Sequence, residues 1–102
     1  MAWVYILECS DLSLYTGSTT DLEVRIWQHN EGLGANFTRK RRPVRLVFAE
    51  ESESIEAAFL REKQVQGWSR AKKLALIESR MNDLPRLSER RTPDVRNRES
   101  DR

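Results

Sequence analysis

Five polar side chains in this chain are of types that together could move a proton and hold a phosphate: Tyr5, Tyr15, Arg25, His29 and Glu62. A guanidinium presents fixed parallel donors to phosphate oxygens, an imidazole exchanges protons near neutral pH, a carboxylate can hold a divalent cation, and a phenol, with an ordinary pKa of about 10, is a poor base at neutral pH unless a nearby cation stabilises its phenolate. Each also has a plainer explanation. A buried tyrosine is usually a packing residue with a satisfied hydroxyl, and a lone histidine beside an apolar helix face is more often structural than catalytic. Without a fold to bring them together, the set points only weakly to phosphoryl chemistry.

The elements that must position these residues show in the hydrophobic pattern. Trp3, Tyr5, Leu7 and Cys9 alternate with Val4 and Ile6, so both faces of this run are mostly apolar, as in a strand covered on both sides. Ser10 to Ser13 supply turn chemistry and Leu14 to Ser18 can return antiparallel, giving a hairpin with one tyrosine on each strand. Register across the turn is not fixed by the pattern, so whether Tyr15 shares a face with Tyr5 stays open. Thr20 and Glu23 match a capping box and predict a helix with Leu22 and Ile26 buried; Arg25 and His29, four residues apart, share the bordering face. Gly32 and Gly34 should end that helix in left-handed backbone. The span 35–43 shows no apolar period and reads as a loop, and Val44 to Glu50 as a third strand entered through Pro43.

Ser52 or Ser54 can cap a second helix whose core-facing positions are Ile55, Ala58, Phe59 and Val65, with Gly67 at its end. Glu62 falls on the same stripe, where a carboxylate is costly unless paired or bound to a metal. A salt bridge to an arginine at the core edge and a metal role carry equal weight. Ser69 starts a short third helix with Leu74, Leu76 and Ile77, and Trp68 packs between the two. Beyond Arg80 the chain turns to Arg, Glu, Asp, Ser and Pro, so residues 81–102 are expected to form a charged, disordered tail after a single domain over 1–80.

A length of 102 residues suits one domain. The net charge of +2 argues little for a polyanionic partner, but its distribution argues more. Basic residues gather at Arg39, Lys40, Arg41, Arg42 and Arg45, and again at Arg61, Lys63, Arg70, Lys72 and Lys73, with Glu50, Glu51, Glu53 and Glu56 between them. Solvated surface would account for either cluster as readily as nucleic-acid contact. Cys9 has no partner for an internal disulfide and reads as a reduced, buried thiol. With no signal-peptide pattern and no apolar run of the ~18 residues a membrane span needs, a cytoplasmic protein without membrane contact is expected. Zinc-ligand spacings, a P-loop and a dinucleotide fingerprint are all absent from the sequence.

The spacing of these residues resembles that of the GIY-YIG nuclease superfamily, in particular its small single-domain, YhbQ-like bacterial branch. Trp3, Val4 and Tyr5 stand for the first motif, and Tyr15, Thr16 and Gly17 for the second. Asp21, Leu22, Arg25, His29 and Asn30 follow the family's helix, and Gly34, Thr38, Arg41, Arg42, Pro43 and Leu46 the branch's loop and third strand. Glu62 on the next helix, with Gly67, Ser69, Lys72 and Lys73 behind it, completes the match. The resemblance implies an α+β domain, a small three-stranded antiparallel sheet flanked by helices, and metal-dependent hydrolysis of nucleic-acid phosphodiester bonds. The substrate would be DNA, read with low sequence specificity, in a setting such as DNA repair; the alternative is a catalytically weak nucleic-acid-binding domain that keeps the fold. Tyr5 is similar to the family's general base or water-positioning phenol, Tyr15 to a second phenol near the phosphate, Arg25 to a phosphate clamp and His29 to a proton relay or orienting group. Glu62 would hold one Mg²⁺ or Mn²⁺ ion, and Arg39, Lys40, Arg41, Arg42, Lys72 and Lys73 would contact nucleic acid. The chain departs from the family in having Trp3 for a glycine, Thr16 for an isoleucine, and no counterpart to the asparagine that follows the metal-binding helix, since Asn82 stands too far downstream.

Overall fold

Strand β1 (Ala2–Glu8) runs through the middle of a three-stranded antiparallel sheet, between β2 (Leu14–Thr19) and β3 (Arg45–Ser52), in this computed structural model. Residues 1–79 are described; the tail expected at 81–102, Asn82 included, lies outside them. The central place of β1 follows from its two apolar faces. Tyr5, Leu7 and Cys9 pack on one side with Leu22, Ile26, Val44 and Leu46, while Ile6 packs on the other with Val47, Phe48, Val65 and Ile77. Ala2 and Val4 complete that second side against Ala58. Pairing with β3 shifts between Ile6, which faces Phe48, and Leu7, which faces Leu46, and the extra residue lets Val47 and Phe48 join the same cluster.

The hairpin register settles what the sequence left open. Tyr5 lies opposite Gly17 and Leu7 opposite Tyr15, so both tyrosines project from the same face of the sheet. That face is covered by α1 (Leu22–Asn30), whose Leu22, Ile26 and His29 are buried. Its N-cap is Asp21 rather than Thr20: the carboxylate accepts the Val24 N–H at 3.2 Å, and Thr19 Oγ1 accepts the Asp21 N–H at 3.1 Å. The expected Thr20–Glu23 capping box is not formed: with Asp21 at the cap, the third helical position is Val24, whose side chain cannot return the bond. Gly32 takes the left-handed conformation after the helix, with φ of 81°, but Gly34 does not.

The span expected to be a loop contains one helical turn, α2 (Asn36–Arg39). A four-residue helix is too short to show a hydrophobic period, so nothing in the pattern announces it. On the opposite face lie α3 (Ile55–Gln66), against β2 and β1, and α4 (Arg70–Ser79), against β3. Ser54 caps α3 and Ser69 accepts from the Lys72 N–H at the start of α4. Ala58 and Val65, seven residues apart, carry the buried stripe of α3, whereas Ile55 and Phe59 are exposed, contrary to expectation. Phe59 instead lies under the Lys63 ammonium, 4.8 Å from the ring centroid. Among the described residues no helix is long and apolar enough to cross a membrane.

Candidate active site

The phenol of Tyr5 crosses the face of the sheet toward the β2 edge because its cross-strand partner has no side chain. A Cβ at Gly17 would lie 2.5 Å from the phenolic oxygen. The hydroxyl meets His29 Nε2 at 2.9 Å, and Tyr5 and His29 are 1% and 0% exposed. Tyr15 packs edge-on against the same imidazole, with ring centroids 5.2 Å apart, and stacks on Phe37 beyond it. On its other side His29 Nδ1 lies 2.7 Å from Thr38 Oγ1, and that hydroxyl donates to the Ala35 carbonyl at 3.0 Å. Gly34 leaves room for the ring; a Cβ there would overlap Nδ1 and sit 2.8 Å from Cγ. This close approach, not backbone handedness, requires the glycine.

Burial sets the charge states. It pushes the Tyr5 phenol up to about 12, against the opposing pull of the Arg25 guanidinium, and it raises Tyr15 against the same pull. It drives His29 down to about 4, with the positive charge of Arg25 adding to the effect. At neutral pH the imidazole is therefore uncharged and both phenols keep their protons. Arg25 is half-buried, donates to Gln28 Oε1 at 3.0 Å, and acts on both phenols.

Glu62 approaches from the other side of the sheet. Its carboxylate accepts from Ser18 Oγ at 2.6 Å, and Ser18, opposite Val4, faces away from the phenols. β2 is an edge strand, and across it the negative charge of Glu62 acts to raise both Tyr5 and Tyr15. Gln66 Nε2 holds the second oxygen at 2.7 Å and ties it to the Thr16 carbonyl at 3.2 Å. The salt bridge weighed for Glu62 is not formed among the described residues. Arg61 pairs with Glu50 at 3.1 Å instead, and the donors to Glu62 are neutral.

A partly exposed carboxylate held by neutral donors fits a hard divalent cation, which takes one or two carboxylates and fills its remaining positions with water and phosphate oxygens. Among the described residues no group of three or more His, Cys, Asp or Glu side chains is placed to hold a metal. Thr16 Oγ1, also on the α3 side, is buried without a hydrogen-bond partner.

The basic residues divide into two kinds. Arg41 pairs with Asp11 at 3.1 Å, donates to the Phe37 carbonyl and covers the Phe37 ring at 3.9 Å. Arg42 donates to the carbonyls of Arg39 and Asn30 at the ends of α2 and α1. Arg39 and Lys40 are exposed. Lys72 sits 4.2 Å from the Trp68 ring centroid, and Lys73 is half-buried with its ammonium pKa lowered by desolvation. Ser18 and Gln66 carry no sequence pattern that singles them out for the site, and Thr38 lies in the unperiodic span.

Residues 1–75 match the family described as the GIY-YIG catalytic domain. The chain belongs to the GIY-YIG family. Its GIY-YIG domain is 51% identical over 77 residues to a UPF0213 protein of Syntrophus aciditrophicus, a match covering 74% of this chain and 88% of the relative. A UPF0213 protein of Staphylococcus haemolyticus is 50% identical over 78 residues, covering 76% and 95%. The solution NMR structure of a UPF0213 protein of Bacillus halodurans is similar at 46% identity with a TM-score of 0.52, covering 79% of this chain and 87% of that one. These relatives place the chain in the small YhbQ-like branch, with the three-stranded antiparallel sheet and flanking helices expected of it. GIY-YIG domains are in general nucleases that use divalent metal ions.

Proposed function

We propose that this GIY-YIG domain is a nuclease that hydrolyses phosphodiester bonds of DNA in the cytoplasm, with one Mg²⁺ or Mn²⁺ ion, low sequence specificity and a role in DNA repair. The observation that carries the reading is the pairing across the β2 edge: a phenol hydrogen-bonded to a neutral imidazole on one side, and a carboxylate with only neutral donors on the other.

Tyr5 positions the attacking water and accepts its proton. A phenol held near pKa 12 is not a standing phenolate at neutral pH, so Tyr5 passes its own proton to His29 Nε2 as it receives that of the water. His29 is a weak base in the free protein because burial and Arg25 both oppose its charge. Arg25 serves as the phosphate clamp, and a phosphate on its guanidinium offsets the positive charge that His29 feels, making proton acceptance easier once substrate is bound. Tyr15 lines the phosphate position from the same face. Glu62 would hold the cation, which would supply positive charge to offset the negative charge developing on the phosphate. Arg39 and Lys40, with Lys72 and Lys73, steer the backbone of the nucleic acid without reading bases, and Arg41 and Arg42 add charge while bracing the loop. A second reading, a domain that binds nucleic acid without useful cleavage, draws support from the missing asparagine.

Purified protein assayed with Mg²⁺ and Mn²⁺ on duplex, nicked, flapped and single-stranded DNA is expected to cleave at least one form, and Glu62→Ala to reduce that cleavage to background. Equal activity in both proteins would overturn the assignment. Salt-dependent binding without product would favour the second reading, with a log–log slope of about −0.9 per phosphate contact on duplex DNA.

A further inference from the structure

We infer that Thr38 is a positioning residue of this site: its hydroxyl fixes the tautomer of His29 that leaves Nε2 open to the proton of Tyr5. The inference rests on the roles given above to Tyr5 and His29. Thr38 has one hydroxyl hydrogen, and the geometry directs it to the Ala35 carbonyl three residues back, at 3.0 Å. With that hydrogen on the carbonyl, the 2.7 Å contact between Thr38 Oγ1 and His29 Nδ1 is donated by the imidazole, which places the ring proton on Nδ1. Nε2 is left with a lone pair, and the Tyr5 hydroxyl 2.9 Å away is its donor.

The opposite tautomer leaves a donor unpaired. With the proton on Nε2, the imidazole would donate to Tyr5 Oη, and the phenolic hydrogen would need another acceptor in a site where Tyr5 is 1% exposed. Of the polar groups that act on Tyr5, the one besides His29 close enough to hydrogen-bond is Arg25, which has donors only; Tyr15 and Glu62 act on the phenol through charge alone. The chain Tyr5–His29–Thr38–Ala35 is satisfied in a single direction, and that direction runs from the phenol toward the imidazole. α2 exists in the right place for this purpose: its single turn carries Thr38, fully buried, against the ring edge, and Gly34 just before it admits the ring. During cleavage, as Nε2 takes the Tyr5 proton, the Nδ1–H remains donated to Thr38 and the ring does not have to turn.

The chain has one histidine, so ¹⁵N labelling of histidine gives a single imidazole whose two nitrogens report the tautomer directly. In the full chain at neutral pH we expect Nδ1 protonated and Nε2 unprotonated. Thr38→Val should move the proton toward Nε2 and lower kcat by at least ~10-fold with KM for DNA unchanged, a part of the ~10²–10⁴ that a general base supplies. Thr38→Ser should restore both. A wild-type ring protonated on Nε2 overturns the inference, as does a Thr38→Val protein that keeps Nδ1–H, or one that switches tautomer with kcat unaltered. Should Thr38→Val fail to fold, the wild-type spectrum and the Thr38→Ser rates still decide. A protein with the expected tautomer switch but no cleavage of any DNA would support the positioning role of Thr38 and defeat the nuclease reading instead.

Discussion

The two sides of the β2 edge are built on opposite principles. On the α1 side, Tyr5, His29 and Thr38 are buried and joined in a directed chain of hydrogen bonds, with burial holding the imidazole neutral. On the α3 side, Glu62 is only partly buried and has no cationic partner among the described residues; its carboxylate is held by Ser18 and Gln66. Proton transfer along fixed hydrogen bonds benefits from a dry site, where no water competes for the donors. A cation that keeps part of its hydration shell needs an open one. β2, an edge strand, separates the two sets, with the phenols on one of its faces and Glu62 on the other.

If the two sides are separable in this way, Tyr5→Phe should lower kcat by ~10²–10⁴ while Mn²⁺ binding followed by electron paramagnetic resonance stays as in the wild type. Loss of Mn²⁺ binding in that variant would join the two sides into one. Gly34→Ala, which drives a methyl group into the His29 ring, should cost about 1–3 kcal/mol of stability in urea unfolding. Gly67→Ala, whose added Cβ would meet nothing nearer than a backbone oxygen at 3.5 Å, should be close to neutral, and equal losses in the two variants would remove the close approach as the reason for Gly34.

Acid should act on the dry side first. His29 accepts a proton below about 6.5 when unfolded and only below about 4 when folded, so the unfolded chain binds more protons between these values and stability falls as pH falls through them. Between pH 7 and pH 5 the loss from this group is about 2 kcal/mol. His29→Gln should flatten the curve over that interval, whatever it does to stability at pH 7; an unchanged slope would mean that the imidazole is not held neutral by its surroundings. The smallest effect belongs to the open side. Gln66→Ala frees one carboxylate oxygen of Glu62 and should raise the Mn²⁺ dissociation constant about 10-fold without shifting the His29 tautomer.

Much of the frame was legible in the chain because it depends on local periodicity. The doubly apolar alternation of β1 required cover on both faces, and the helix at α1 followed from Leu22 and Ile26. Where several residues could do the same job locally, the reading slipped: Asp21 caps α1 in place of Thr20, and Phe59 lies outside the buried stripe of α3. The turn at α2 was invisible because four residues hold no period, and Thr38 went without a role for the same reason.

Residue type and spacing thus determined which side chains were available for chemistry, since strand alternation and helical repeat are properties of the chain itself. The tertiary structure alone decided that Tyr15 shares a face with Tyr5, that Glu62 lies on the other face of β2 from them, and that His29 is neutral between a phenol and a threonine. Register, desolvation and contacts between residues far apart in sequence are set by packing, and no local pattern encodes them.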